Sequence, residues 1–102
     1  MITIEPTGRI RFRVYLPGAR LVEILGGFTG WADAPIPMSR TGEGWWGATV
    51  AVPPGDWRFR YRADGHAWAT DFAAHGLEIN AFGSLDSCLR VDADRALRRR
   101  AA

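Results

Sequence analysis

A chain of 102 residues with 47% hydrophobic content has room for one packed core and too much apolar character for disorder. Its net charge is only +2, from thirteen basic residues, all arginine, against eleven acidic ones, a near balance that argues against a broad polyanion-binding surface. No run approaches the roughly 18–20 apolar residues needed to cross a bilayer. The first residues lack the basic-then-apolar signature of a leader, and the single Cys88 cannot form an internal disulfide, which suits a reducing cytoplasm.

From Arg9 to Leu16 the chain alternates strictly, with Ile10, Phe12, Val14 and Leu16 on one face and Arg9, Arg11, Arg13 and Tyr15 on the other. Period two predicts a half-buried strand. Pro17-Gly18 ends it, and Leu21 to Leu25 predicts a second, more buried strand. Gly26-Gly27-Phe28-Thr29-Gly30-Trp31 then reads as a glycine-rich turn that presents an aromatic ring. Pro35 and Pro37 confine the stretch from Ile36 to Arg40 to a short edge strand.

Thr41 to Gly44 is predicted to turn, after which Trp46, Ala48, Val50 and Val52 alternate again. Pro53-Pro54-Gly55-Asp56 marks the next turn. Trp57, Phe59, Tyr61 and Ala63 then oppose Arg58, Arg60 and Arg62. Asp64-Gly65 signals a hairpin into a strand near Trp68. Asp71 to Ala81 is predicted irregular, and a last strand runs from Ser87 to Val91. Short strands punctuated by turns at this interval predict an all-β sandwich or barrel over residues 1–91. Residues 92–102 form an arginine-rich tail.

Five tryptophans exceed what so small a core needs, and an indole N–H makes full burial costly, so some rings are expected at the surface. Three segments stand out in order: Val22 to Trp31, Gly55 to Gly65, and Phe82 to Ser87. They contain Gly26-Gly27-Phe28-Thr29-Gly30-Trp31, then Gly55-Asp56-Trp57-Arg58-Phe59-Arg60-Tyr61 running into Asp64-Gly65 with Trp68 beyond, then Phe82-Gly83-Ser84-Leu85-Asp86. From about Arg9 to Val91 this series resembles carbohydrate-binding module family 48, which includes the glycogen-binding domain of a kinase regulatory subunit and the N-terminal domains of branching enzymes and isoamylases.

The resemblance implies an immunoglobulin-like, early-set antiparallel β-sandwich that recognises an α-1,4-glucan such as glycogen or starch without catalysis. The family's two stacking tryptophans fall on Trp31 and Trp68, its basic sugar-contacting residue on Arg60, and a loop-tip apolar residue, often leucine, on Phe82. Where the family usually has asparagine this chain has Asp86, which keeps an acceptor and loses an amide donor. The family's Asp-Pro after the second tryptophan is replaced by Asp71-Phe72, and one extra residue separates the turn from Trp68. Sugar chemistry points the same way: flat aromatic rings cover the C–H faces of a pyranose while polar groups bond its hydroxyls. Trp46 and Trp57 are expected in the core, and Trp45, on the opposite face from Trp46, either extends the sugar platform or packs at an edge.

Neither a cofactor nor a metal is expected, since His66 and His75 lack ligand spacing. Asp64 fits turn chemistry better than acid–base work, and glycoside hydrolysis needs two carboxyls flanking a cleft. The expected partner is an α-glucan polysaccharide or malto-oligosaccharide, with a glucan-metabolising or regulatory protein as a second partner. Two alternatives remain at this level. The same fold can serve protein–protein interaction without sugar, or the arginines and aromatics of a small barrel can bind single-stranded nucleic acid.

Overall fold

The alternation near the N-terminus folds as predicted, because Ile10 and Phe12 share a buried face only when the backbone is extended. In the computed structural model, which describes residues 1–93, ten strands form in chain order. They are β1 (Ile2–Ile4), β2 (Ile10–Tyr15), β3 (Val22–Gly26), β4 (Ile36–Pro37), β5 (Ser39–Gly42), β6 (Trp45–Val50), β7 (Gly55–Ala63), β8 (Ala67–Ala69), β9 (Leu77–Ile79) and β10 (Leu85–Val91). One sheet has the order β1-β2-β6-β5 and the other β4-β3-β7-β10-β9, with β8 also paired to β7. All these pairings are antiparallel. The architecture is the all-β, immunoglobulin-like sandwich expected from the sequence.

The core fills the space between the two sheets. Phe12 of the first sheet meets Phe59 of the second edge-on, ring centroids 5.2 Å apart, and Phe59 repeats the arrangement with Tyr61 at 5.7 Å. Burial of each such side chain stabilises the fold by roughly 1.5–3 kcal/mol. Trp46 is buried and donates its indole N–H to the Leu16 carbonyl at 3.3 Å. Trp57 is half-buried, donates to the Pro53 carbonyl at 2.9 Å and meets Phe28 edge-on. Both are structural, as the alternation predicted.

Several elements differ from the sequence-based expectation. The second strand starts at Val22, leaving Leu21 exposed, and the last starts at Leu85 rather than Ser87. The stretch from Ile36 to Arg40 is not one edge strand. It divides into β4 on one sheet and β5 on the other, with buried Met38 crossing between them. Pro35 and Pro37 each lack a donor, so pairing with β3 covers only two residues before the chain leaves that sheet. The turn expected at Thr41 to Gly44 shrinks accordingly to Glu43-Gly44. β1 and β9 have no counterpart in the expectation, and β9 lies inside a stretch read as irregular.

A polar knot ties that stretch down. The buried Asp71 carboxylate accepts the Tyr61 hydroxyl at 2.6 Å and the Ala73 N–H at 2.9 Å, and it also pairs with the Met1 amine. The Asp71 N–H donates to the Ser87 hydroxyl at 2.7 Å, and that hydroxyl donates to the Asp71 carbonyl at 3.0 Å. No helix among the described residues is long and apolar enough to cross a membrane. The arginine-rich tail lies outside the described residues from 94 onward.

Candidate functional site

The nine residues of β7 organise one outer face. Along one edge β7 pairs with β3; along the other, β10 takes residues 55–59 and β8 takes residues 61–63. β8 and β10 therefore follow one another beside the same strand, and the Thr70 hydroxyl ties them by donating to the Leu85 carbonyl at 2.8 Å. On the outer face this register sets Trp68 opposite Arg62 and Asp86 one step beyond the Ser87–Phe59 pair, beside Arg60.

Alternation puts Arg58, Arg60 and Arg62 on this face alike, but their partners differ. Arg58 pairs with Glu78 at 2.5 Å and Arg62 with Glu23 at 3.0 Å. The hydrogen bond from Arg58 holds the Glu78 carboxyl below the usual carboxylate range. Arg60 has no carboxylate within ion-pair distance among the described residues, and its Nε is buried without a hydrogen-bond partner. Its guanidinium carbon lies 5.3 Å from the centroid of the Trp68 ring. Of the three, it is the one without an acidic partner among the described residues.

Trp31 arrives from the end of β3. A Cβ on Gly26 would lie 2.6 Å from the Arg58 carbonyl oxygen, so only glycine lets the chain leave β3 this close to β7. Two short 3-10 turns follow, Gly27–Thr29 and Trp31–Asp33. Between them the backbone turns left-handed, with φ of 63° at Gly30 and 55° at Trp31. For a bulky L-residue that conformation costs about 1–2 kcal/mol. The buried Thr29 hydroxyl holds it. That oxygen accepts the Gly26 N–H at 3.0 Å and lies 2.9 Å from the Gly26 carbonyl and 2.8 Å from the Trp31 carbonyl, to one of which it donates. Replacing Thr29 by Val keeps the shape and removes the clamp, leaving the Gly26 N–H buried without its partner. The expected result is a stability loss of about 1–3 kcal/mol in urea unfolding, with the assigned indole N–H resonance of Trp31 reporting a more mobile ring.

The five expected residues Trp31, Arg60, Trp68, Phe82 and Asp86 come together around one open groove of about 610 Å³. Asn80 and Ser84 line it too. Trp31 is 36% exposed, Trp68 45% and Phe82 93%, so aromatic surface faces the groove from three separate segments. Asp86 is buried at its floor and accepts a hydrogen bond from the Asn80 amide at 3.1 Å. The groove thus combines flat apolar rings, a donor-only cation and an acceptor-only carboxylate. Thr29 and Asn80 escaped the sequence reading, because their roles are hydrogen bonds inside irregular loops that no periodicity reports.

Other candidates resolve differently. Trp45 lies on the outer face of the other sheet, packed with Tyr15 at 5.2 Å and with the Arg13 guanidinium over its ring at 4.9 Å. It is an edge-packing residue and does not extend the groove. A second hollow of about 540 Å³ lies near His75 and Cys88, where Arg58 and Arg90 are already paired with Glu78 and Asp56. Asp64 has φ 54°, next to Gly65 at 77°, as a tight hairpin turn requires. Its carboxylate accepts the N–H groups of Arg20 and Leu21 at 2.8 and 3.0 Å, which hold it below the usual carboxylate range. No group of three metal-ligating side chains gathers among the described residues.

Comparison with known proteins is consistent with this geometry. Over 57 residues the chain is 39% identical to the 1,4-alpha-glucan branching enzyme GlgB of Deinococcus radiodurans, an overlap covering 55% of this chain and 8% of that enzyme. The pullulanase from Paenibacillus barengoltzii, solved in complex with maltohexaose and alpha-cyclodextrin, matches at 28% identity with a TM-score of 0.61, covering 86% of this chain and 14% of that one. Its apo structure matches at 28% identity and a TM-score of 0.60, over 84% and 14% of the two chains. The chain thus spans a small fraction of the relatives it matches. The model of carbohydrate-binding module 48, the isoamylase N-terminal domain, matches residues 2–80, most of the sandwich, and the chain belongs to that family.

Proposed function

We propose that this domain is a non-catalytic module that binds an α-1,4-glucan of the glycogen or starch type in the groove between Trp31, Trp68 and Phe82. The observation that carries the proposal is the pairing of exposed indoles with Arg60, which has no acidic partner among the described residues. Trp31 and Trp68 offer faces for the C–H surfaces of successive glucose rings, Arg60 donates to hydroxyl oxygens and Asp86 accepts from hydroxyl hydrogens. The groove is open rather than enclosing, so affinity for a single site is set by stacking and solvent-competing hydrogen bonds. A Kd on the order of 10 µM to 1 mM is expected.

The matches cover 8% of a 1,4-alpha-glucan branching enzyme and 14% of a pullulanase solved with maltohexaose, both much longer chains, which supports a role in holding a glucan for a partner enzyme. A reducing cytoplasm suits the thiol of Cys88. The distribution of arginine disfavours a nucleic-acid surface. Arg11 and Arg13 belong to one sheet and Arg58, Arg60 and Arg62 to the other, so they never form one stripe, and Arg58 and Arg62 are neutralised.

Affinity electrophoresis in gels containing glycogen or amylopectin tests the proposal. Retardation that persists at high salt is expected. Native protein migrating at the same rate with and without glucan would overturn it, and salt-sensitive binding to single-stranded nucleic acid would replace it.

A further inference from the structure

Phe82 is nearly fully exposed, so no packing fixes where its ring stands. Its position is set by the five-residue loop from Asn80 to Ser84 that joins β9 to β10, and that loop is organised from within by one side chain. The Asn80 Oδ1 accepts the N–H of Phe82 at 2.9 Å and of Ser84 at 3.1 Å. Its Nδ2 donates to the Asp86 Oδ1 at 3.1 Å. The Asn80 backbone closes the loop, its N–H donating to the Ser84 carbonyl at 2.8 Å and its carbonyl accepting the Gly83 N–H at 3.1 Å.

We infer that Asn80 is the positioning residue of the groove: it holds the Phe82 loop and spends one oxygen of Asp86, leaving the other as a fixed acceptor for a sugar hydroxyl. The inference rests on the glucan proposal for its ligand, but the pinning of the loop stands apart from it. The amide is the one group that can do both tasks. Its oxygen has two lone pairs for two backbone donors, and its NH₂ meets a carboxylate without repulsion. A carboxylate at position 80 would keep the first task and lose the second.

This division suggests a swap. In Asn80→Asp, Phe82 and Ser84 still find an acceptor, but two carboxylates now face each other. Adding Asp86→Asn restores a donor–acceptor pair with reversed polarity: the new amide at 86 donates to the carboxylate at 80 and turns its own oxygen toward the groove. An acceptor oxygen at position 86 still faces the sugar, now an amide oxygen in place of a carboxylate oxygen.

The test measures amide hydrogen exchange at Phe82 and Ser84, and glycogen affinity, in four proteins: native, Asn80→Ala, Asn80→Asp, and the double swap. Exchange about tenfold or more faster is expected at both amides in Asn80→Ala only. Glycogen affinity should fall about tenfold in both single variants and recover in the swap. Native-like exchange in Asn80→Ala would overturn the loop role, and failure of the swap to recover affinity with exchange intact would overturn the link to Asp86. If Asn80→Ala does not fold, Asn80→Asp and the swap still decide that link, and Asn80→Ser, whose shorter side chain offers the two N–H groups a weaker acceptor, decides the loop by faster exchange at Phe82 and Ser84. A native protein that ignores glycogen removes the glucan proposal while the exchange arms continue to judge the pinning.

Discussion

Replacing Trp68 by alanine is expected to abolish visible retardation on glycogen while leaving the fold intact. Trp68 is 45% exposed and stands outside the core cluster, on a three-residue strand at the side of β7. Its removal therefore takes little from stability: the cation–π contacts with Arg60 at 5.3 Å and Arg62 at 5.8 Å are worth about 0.5–1 kcal/mol at such a site. Binding loses more. In the proposed binding mode the indole supplies a stacking face, and it also lies beside the guanidinium of Arg60, which among the described residues is the one arginine of the row without an acidic partner. Truncating a central aromatic anchor costs about 2–3 kcal/mol, or roughly 30- to 150-fold in Kd. The control is Arg60→Lys, which keeps the charge and loses the plane that lies against the ring. It should weaken binding by a smaller factor. Unchanged retardation in Trp68→Ala, with an unchanged melting temperature, would move the contact surface elsewhere on the domain.

How much of this was legible in the sequence differs between the strands and the site. β2, β6 and β7 each bury one face, so their periodicity declares both strand and side: Ile10 and Phe12, Trp46, Phe59 and Tyr61 all point where alternation sends them. β9 buries neither face, all three of its residues being exposed, and a strand without a buried face leaves no pattern to read. The switch at Met38 was hidden for another reason. Two strands in register with different sheets look like one strand when only local alternation is considered.

The candidate site residues Trp31, Arg60, Trp68, Phe82 and Asp86 were named through family resemblance and side-chain chemistry, and the structure gathers them around one groove. What separates Arg60 from Arg58 and Arg62 was not legible. All three have the same local pattern, and their inequality comes from Glu78 on β9 and Glu23 on β3, which only cross-strand register brings alongside. Thr29 and Asn80 act on backbone groups within their own loops. Those bonds exist only once the left-handed turn at Trp31 and the loop at Gly83 have formed.

The largest stability effect is expected at Asp71. Its carboxylate is buried, takes the Tyr61 hydroxyl at 2.6 Å, and sits where β8 gives way to the Ser87 hydroxyl of β10. Alanine at 71 leaves a fully buried phenol without its acceptor and frees the following turn. A loss of about 2–4 kcal/mol follows, against a total of about 5–15 kcal/mol for a domain. With about 4–8 °C per kcal/mol at this size, the melting temperature should fall by roughly 8–32 °C. Glucan affinity should fall as well, because the same knot fixes β8, and so Trp68, relative to β10 and Asp86.

The milder Tyr61→Phe isolates the hydroxyl and carries a pH signature. Burial first, and then the charge of Asp71, push the Tyr61 phenol far above its ordinary value. An unfolded tyrosine releases its proton near pH 10, whereas the folded one keeps it. The contribution is therefore fully present below about pH 10 and is lost above it at about 1.4 kcal/mol per pH unit, as the unfolded state gains by ionising. Urea unfolding of native protein and Tyr61→Phe from pH 7 to 11 should show native stability declining more steeply above pH 10, by that slope. Parallel curves across the range would mean that the phenol is free to ionise in the fold, and the knot at Asp71 would then be looser than its 2.6 Å bond requires.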